Sequence, residues 1–393
     1  YVAENGENSI VCNELPGSIT CIRVLKQEKN FLVPIRESEN VGHLQDFGDA
    51  PDVPVFFGRT EELKILKRWI IREHCRLIVI SGIGGIGKTG LSLKLGKEGI
   101  GKTDLSVKLA RGIQDEFEFV IWKSLRNAPL ARDLLTDIIK FLSLHHEAVL
   151  PENFDAQVSL LLSYLREHRC LLILDNMESV LSSGGGPGQY RKGYEDYGYL
   201  LRAVGEGSHK SCLLVTSREQ PIEAAMLSGK AKPIRCLALG GLRNEDAKKI
   251  FQTISSFSKL DENLQELVEF YDGNPLALEL VAHHINEVFF GDVARFLRDG
   301  RHVFDTLHDL LDWHVERCSI LEKEVMNWLA INRSPASLSE LKEDILLSRT
   351  KEELPSILQS LQRRIPVQKI SKSFTLPPVM IEHVTERLIA KVC

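Results

Sequence analysis

Two lysine–threonine pairs stand fourteen residues apart in "SGIGGIGKTGLSLKLGKEGIGKTDLSVKLARG", residues 81–112. GIGKTGLSLKLGKE (85–98) is followed at once by GIGKTDLSVKLARG (99–112), identical at nine of fourteen positions. Each copy closes a G-x-x-x-x-G-K-T pattern, at Lys88-Thr89 and at Lys102-Thr103. The chemistry such a pattern performs is polyphosphate binding. Backbone N–H groups and the positive end of the following helix face the anion, the lysine neutralises its terminal charge, and the hydroxyl ligates Mg²⁺.

One nucleotide needs one loop, and the flanking elements argue in opposite directions. "RLIVIS" runs directly into Gly82, so Gly82, Gly84, Gly85, Ile86, Gly87, Lys88 and Thr89 are the expected loop, with a helix starting at Lys88. "LSLKL", before the second copy, suits a helix or a poorly covered strand. Spacing to the next strand favours the other copy: about 14 residues follow Thr103, room for one helix, whereas about 28 follow Thr89. A single rod through both copies would contain Gly96, Gly99 and Gly101, each costing about 1 kcal/mol relative to alanine, so a break near 96–101 is expected. In the competing arrangement the first copy bulges out and Gly99–Thr103 cradles the phosphate.

Two further stretches complete the chemistry. "CLLILDN" delivers Asp175 at the end of an apolar strand, where a carboxylate holds Mg²⁺. The next residue is Asn176, which orients water but cannot take its proton, while Glu178 lies near in sequence without a defined direction. Hydrolysis is therefore expected to be slow at most. "LLVTSR" ends in Thr216, Ser217 and Arg218, and a guanidinium there can fork onto a terminal phosphate.

These residues need a parallel sheet to hold them. The apolar runs at 77–81, 118–124, 170–176, 212–218 and 234–239 are continuous rather than alternating, as in strands covered on both faces. The expected class is an α/β P-loop NTPase, a parallel sheet with helices on both faces, then an all-α domain and a winged-helix domain. Boundaries fall at 1–50 (strand-like pieces and a polar linker, unassigned), 51–240, 241–310 and 311–393. "SSGGGPGQYRKGYEDYGY" reads as a long surface loop, and "SLSE" as a helix capping box. The 393 residues carry 49 Lys+Arg and 54 Asp+Glu, a net −5 that argues against a nucleic-acid surface over the whole molecule. Eight scattered cysteines without a C-x-x-C pair suit a reducing, cytoplasmic compartment, and no apolar stretch is long enough for a membrane span. Opening on Tyr1 rather than Met, the chain is expected to be a fragment. His145-His146 and His283-His284 read as ordinary surface or boundary histidines, and Trp122 and Trp328 as core.

Over 52–390, "VFFGR", "GIGGIGKT", "FVIWKSLRN", "LLILDN", "LLVTSR" and "GNPLAL", in that order, resemble the NB-ARC type of STAND signalling NTPase. The likeness is greatest to large bacterial proteins that carry this switch ahead of WD repeats. The resemblance implies a switch that holds ADP between three domains, exchanges it for ATP, opens, and assembles into homo-oligomers with attached effector or sensor domains. It implies that Phe57, Gly58 and Arg59 line the adenine side, and that Pro275 packs on the adenine. Lys88 and Thr89 would take phosphates and Mg²⁺, Asp175 would take Mg²⁺, and Arg218 would sense the γ-phosphate. By residue type alone, "GNPLAL" is a helix starting at Pro275 after a Gly-Asn turn. The sequence departs from the family at "FTLPPV", where a Met-His-Asp whose histidine touches ADP is usual, and in the duplication itself.

Two other functions compete. A winged-helix DNA-binding regulator would use "TKEELPSILQSLQRR" as its recognition helix, but Glu352 and Glu353 in its first turn oppose phosphate, and only Arg363 and Arg364 favour it. The third possibility is a nucleotide-binding scaffold inactivated by the 14-residue insertion.

Overall fold

Four of the five apolar runs become buried parallel strands, and the fifth becomes an edge strand, Ile234–Ala238, buried only at Ile234. The structure is a computed structural model that describes residues 2–5, 8–15, 18–25, 43–54, 56–82, 101–144, 150–184, 186–299, 303–364 and 367–392. The chain divides into two units, Tyr1–Leu44 and Gln45–Cys393. In the first, β1 (Val2–Asn5), β2 (Asn8–Leu15) and β3 (Ser18–Leu25) form an antiparallel meander in which Cys12 stands opposite Cys21.

A stretch expected as linker instead contributes β4 (Leu44–Asp46) to a six-stranded sheet. Three residues are too few to show a period, and the ion pair from Lys123 to Asp46 at 2.8 Å pins the segment there. The chain continues through α1 (Thr60–Lys67), a π turn (Arg68–Arg72), β5 (Leu77–Ser81), α2 (Lys102–Arg111) and β6 (Phe119–Ser124). Then come α3 (Ala131–Leu142), α4 (Phe154–Glu167), β7 (Cys170–Asp175), α5 (Asp196–Glu206), β8 (Cys212–Ser217), α6 (Ile222–Leu227) and β9 (Ile234–Ala238). The sheet order is β4-β6-β7-β8-β5-β9, and the β6–β7, β7–β8, β8–β5 and β5–β9 pairs are parallel. Alternate residues build one face: Val120, Trp122, Leu171, Ile173, Leu214, Ile78 and Ile80 share a core with Leu66 and Ile70 and with Leu105 and Leu109 of α2. Thr60 is the first residue of α1, preceded by Arg59 in the left-handed region at φ 60°.

The second half is helical: α7 (Asn244–Ile254), α8 (Leu260–Phe270), α9 (Pro275–Val288), α10 (Val293–Asp299) and α11 (Asp305–Glu316). It ends with α12 (Ile320–Asn332), β10 (Ala336–Ser337), α13 (Leu338–Asp344), α14 (Ser348–Arg364), β11 (Gln368–Ile370), β12 (Ser373–Thr375) and α15 (Pro378–Val392). The three short strands form an antiparallel sheet in the order β10-β12-β11. One core runs through this half, from Phe251 and Leu267 through Val281 and Phe296 to Leu329, Leu361 and Met380. Local chemistry fixes the helix starts. Ser337 and Glu340 form the expected capping box, a second joins Ser319 to Glu322, and Asn274 caps α9 with Pro275 in its first turn.

The tyrosine-rich insertion is packed rather than loose. Leu181 bridges to Tyr190, Tyr190 donates to Glu223 at 2.8 Å, and Tyr197 is fully buried. A Cβ on Gly188, at φ 73°, would lie 2.1 Å from the carbonyl oxygen of Gln220, so only glycine allows this approach. Trp122 is core, Trp328 packs against the helical core, and His284 stacks on Phe304 at 4.2 Å. His145 and His146 lie outside the described residues. No helix among the described residues is long and apolar enough to cross a membrane.

Candidate nucleotide site

The carboxyl ends of β5, β7 and β8 meet where an open parallel sheet commonly binds its ligand. β5 ends at Ser81, in register with Ser217 of β8, and Gly82 follows. A Cβ on Gly82 would lie 2.9 Å from the carbonyl oxygen of Leu239, so the chain leaves the strand pressed against β9's exit. The helix whose N-terminus faces this edge is α2, and it starts at Lys102. Gly101 precedes it at φ 68°, in the left-handed region that glycine enters without penalty.

The side chains at that N-terminus belong to the second copy of the repeat. Lys102 Nζ donates to Gly82 O at 2.9 Å, and Thr103 Oγ1 donates to Asp175 Oδ1 at 2.9 Å. Gly84, Gly85, Ile86, Gly87, Lys88 and Thr89 lie outside the described residues. The positions expected for Lys88 and Thr89, beside Asp175, are taken by Lys102 and Thr103. The physical reason is the one spacing suggested: α2 ends at Arg111, a short step before β6 at Phe119, so its start is fixed from downstream. The helix start expected at Lys88 is not among the described elements.

Asp175 is buried at 4% exposure, and Thr216 also donates to its Oδ1. Burial raises the Asp175 carboxyl above its usual range, with the Thr216 and Thr103 hydroxyls and Lys102 opposing and Glu178 adding to the rise. Burial likewise pulls the Lys102 ammonium down to about 8, Arg218 adds to the fall, and Glu178 and Asp175 oppose it. Thr216 is bifunctional: its hydroxyl also accepts the Asn176 backbone N–H at 3.1 Å.

Asn176 adopts φ 64° and starts a 3₁₀ turn, Met177–Val180, which swings Glu178 back across the end of β8. Glu178 Oε1 meets Arg218 Nε at 2.9 Å, and its Oε2 accepts the Arg218 backbone N–H at 3.1 Å. Both side chains are almost buried. The carboxylate that sequence reasoning sought at 176 is therefore present two residues later, locked onto the arginine. Lys102, Thr103, Asp175, Glu178, Thr216 and Arg218 thus form one constellation.

The expected adenine-side residues occupy a seam. Phe57 packs on the helical core, whereas the neighbouring Val53 and Phe56 belong to the sheet core. Gly58 has no room for a side chain: a Cβ would lie 2.4 Å from the Asp246 carboxylate on α7. Arg59 is 5% exposed; its Nη1 meets Glu62 at 2.9 Å, while the buried Nη2 has no hydrogen-bond partner among the described residues. Such an orphaned donor normally has a ligand or water to meet. Pro275 sits at the start of α9, beside the buried cap Asn274. Sequence reasoning missed Trp313, Arg317 and Glu219, which surround Arg218 and its neighbours. Their one sequence signal is the four-residue spacing that puts Trp313 and Arg317 on one side of a helix.

Residues 91–257 match the NACHT domain, a family within the STAND NTPases, and this span begins beyond Thr89 while including Lys102 and Thr103. The chain is 44% identical over 351 residues to an uncharacterized WD repeat-containing protein of Nostoc sp., covering 88% of this chain and 27% of that protein. It is 23% identical over 360 residues to a probable disease resistance protein of Arabidopsis thaliana, covering 83% of this chain and 44% of that protein. It thus spans about a quarter to under half of these relatives' lengths. Among solved structures, a Walker-type ATPase of Pyrococcus abyssi superposes with a TM-score of 0.52 at 14% identity, covering 86% of this chain and 98% of that one. The resemblance to STAND NTPases holds, NACHT is the matching domain where the motifs suggested NB-ARC, and one relative is a WD repeat-containing protein.

Proposed function

We propose that this NACHT-containing, STAND-type P-loop chain is the ATP/ADP-binding switch of a longer signalling or defence protein, gripping its nucleotide with the second copy of the duplicated loop. One observation carries the reading: Lys102 and Thr103 stand at a helix N-terminus between Gly82 and the buried Asp175. Lys102 takes the terminal phosphates. Mg²⁺, held by Thr103 and Asp175, would neutralise phosphate charge. The residues fit these ligands: Asp175 is a buried, electrostatically uncomfortable carboxylate, and Arg59 keeps a buried N–H to spare on the adenine side with Phe57, Gly58 and Pro275.

Hydrolysis is slow in this reading because the residue after Asp175 is Asn176, an amide that orients water but cannot take its proton. Arg218 senses the third phosphate. The three domains run over 51–240, 241–310 and 311–393; α12, α13 and α14 with β10, β11 and β12 support a winged helix in the last. Nucleotide exchange opens the module and drives homo-oligomerisation in the cytoplasm. A DNA-binding role finds little support: Arg364, one of the two basic residues ending α14, is 4% exposed and paired with Glu322 at 3.1 Å. The test is chromatography of nucleotide released from the purified chain. ADP is expected from wild type and from Lys88→Ala but not from Lys102→Ala; no nucleotide from any of them, and no binding on adding Mg-ADP, would sink the reading.

A further inference from the structure

Arg218 faces the phosphate side of the molecule and also a tryptophan from the C-terminal half. Its guanidinium lies over the Trp313 ring, 4.2 Å from the centroid. Arg317, one helical turn further along the same segment, lies over the same ring at 4.9 Å. Both distances are within the roughly 6 Å over which a cation is attracted to an aromatic face. Arg317 is itself anchored to the nucleotide domain: Nε meets Glu219 Oε1 at 2.6 Å, and Nη2 donates to the carbonyls of Ser182 at 3.0 Å and Leu181 at 3.3 Å. The Gly184 N–H donates back to Arg317 O at 2.9 Å, and Arg364 Nη1 donates to the same oxygen at 2.7 Å. Consecutive residues at the exit of β8, Arg218 and Glu219, therefore both terminate on the end of α11. The first is tied there by an indole and the second by an ion pair.

We propose that Trp313 is a positioning residue that holds Arg218 on Glu178, so that the third phosphate must draw the arginine away from the C-terminal half in order to bind. This rests on the nucleotide reading above. A guanidinium forked onto a phosphate gives up the Nε contact to Glu178 and its seat on the ring. ADP makes no such demand and leaves the stack intact. Trp313 thus biases the site toward ADP and passes the identity of the nucleotide to α11, whose remaining ties include the Arg317–Glu219 pair and the Arg317 hydrogen bonds with Leu181, Ser182 and Gly184. No motif announces this role, because the ring comes from a helix about a hundred residues from the strand it serves.

The test measures Mg-ATP and Mg-ADP affinities by displacement of a fluorescent ADP from wild type, Trp313→Leu and Trp313→Phe. The leucine variant is expected to raise the ATP-to-ADP affinity ratio about three- to tenfold, as loss of one cation–π contact implies, with ADP affinity nearly unchanged. Phenylalanine, which keeps an aromatic face, is expected to restore most of the wild-type ratio. Tryptophan emission gives a second readout that needs no leucine variant: Mg-ATP changes the wild-type signal beyond the Mg-ADP change, and Trp313→Phe lacks that difference. A folded leucine variant with the wild-type ratio, or an ATP-specific emission change that survives in Trp313→Phe, overturns the proposal. A wild-type chain that binds neither nucleotide sinks the underlying nucleotide reading and this proposal with it.

Discussion

Replacing Lys102 with methionine should do two opposite things to the protein. Lys102 is buried, and burial takes its ammonium from the ordinary 10.5 down to about 8. Keeping that group charged at neutral pH therefore costs the nucleotide-free fold about 3 kcal/mol. Because the folded value lies below the unfolded one, the cost is fully present below pH 8 and is relieved as pH rises from 8 toward 10.5. Methionine removes it while filling similar space. Against that gain, Gly82 O loses its donor, worth about 1 kcal/mol, while the pull of Asp175 and Glu178 is already contained in the value of about 8. The expected net is a gain of about 2 kcal/mol, or roughly 3 °C in Tm for a unit that runs from Gln45 to Cys393. On the proposed reading the same substitution removes the main cation for the phosphates, so Mg-ADP, expected to stabilise wild type by mass action, should no longer raise Tm. Calorimetric melts with and without Mg-ADP at pH 7 and pH 9 check all of this, and the gap between the two apo proteins should narrow at pH 9. A nucleotide-free variant that melts several degrees below wild type, or one that Mg-ADP still stabilises, refutes the reasoning.

Three other outcomes follow from the same geometry. Deleting residues 85–98 joins Gly84 to Gly99 and leaves a single GIGGIGKT between β5 and α2; ADP affinity should stay within about threefold of wild type, under 1 kcal/mol, by titration calorimetry. His383, fully buried on α15, is pulled down to about 4 by burial against the attraction of Asp312 at 3.1 Å, with His308 at 3.0 Å and Arg387 reinforcing the fall; Glu386 holds His308 from the other side. Its neutral form is the folded one, so stability is lost as pH falls from 6.5 toward 4, by about 2 kcal/mol at pH 5, and denaturant melts of His383→Phe should show a flatter acid limb. Ser337→Ala removes the exposed cap of α13 and should cost about 1 kcal/mol by the same melts.

Much of this arrangement is written plainly in the chain, and the rest is hidden for identifiable reasons. The sheet is legible because β7 and β8 are apolar at nearly every position, which only a strand covered on both sides tolerates. Pro275, Asn274 and Ser337 announce helix starts through their own local chemistry. The duplicated loop misleads because local sequence favours whichever copy follows a good strand. What decides the structure is the fixed distance from Thr103 to β6 and the reach of Lys102 back over twenty residues to Gly82. Glu178 is unpredictable because its direction depends on the left-handed turn at Asn176. Beyond the four-residue spacing of Trp313 and Arg317, nothing in the sequence singles out these two or Glu219, since their contacts join positions about a hundred residues apart.

The central claim is that the second lysine, not the first, grips the polyphosphate. Isothermal titration of Mg-ADP into Lys88→Ala and Lys102→Ala, beside wild type, tests it most directly. Lys88→Ala is expected to keep wild-type affinity and Lys102→Ala to lose about a hundredfold or more, the size expected for a hydrogen-bonded charge removed from a phosphate site. Wild-type binding by Lys102→Ala together with its loss in Lys88→Ala would contradict it.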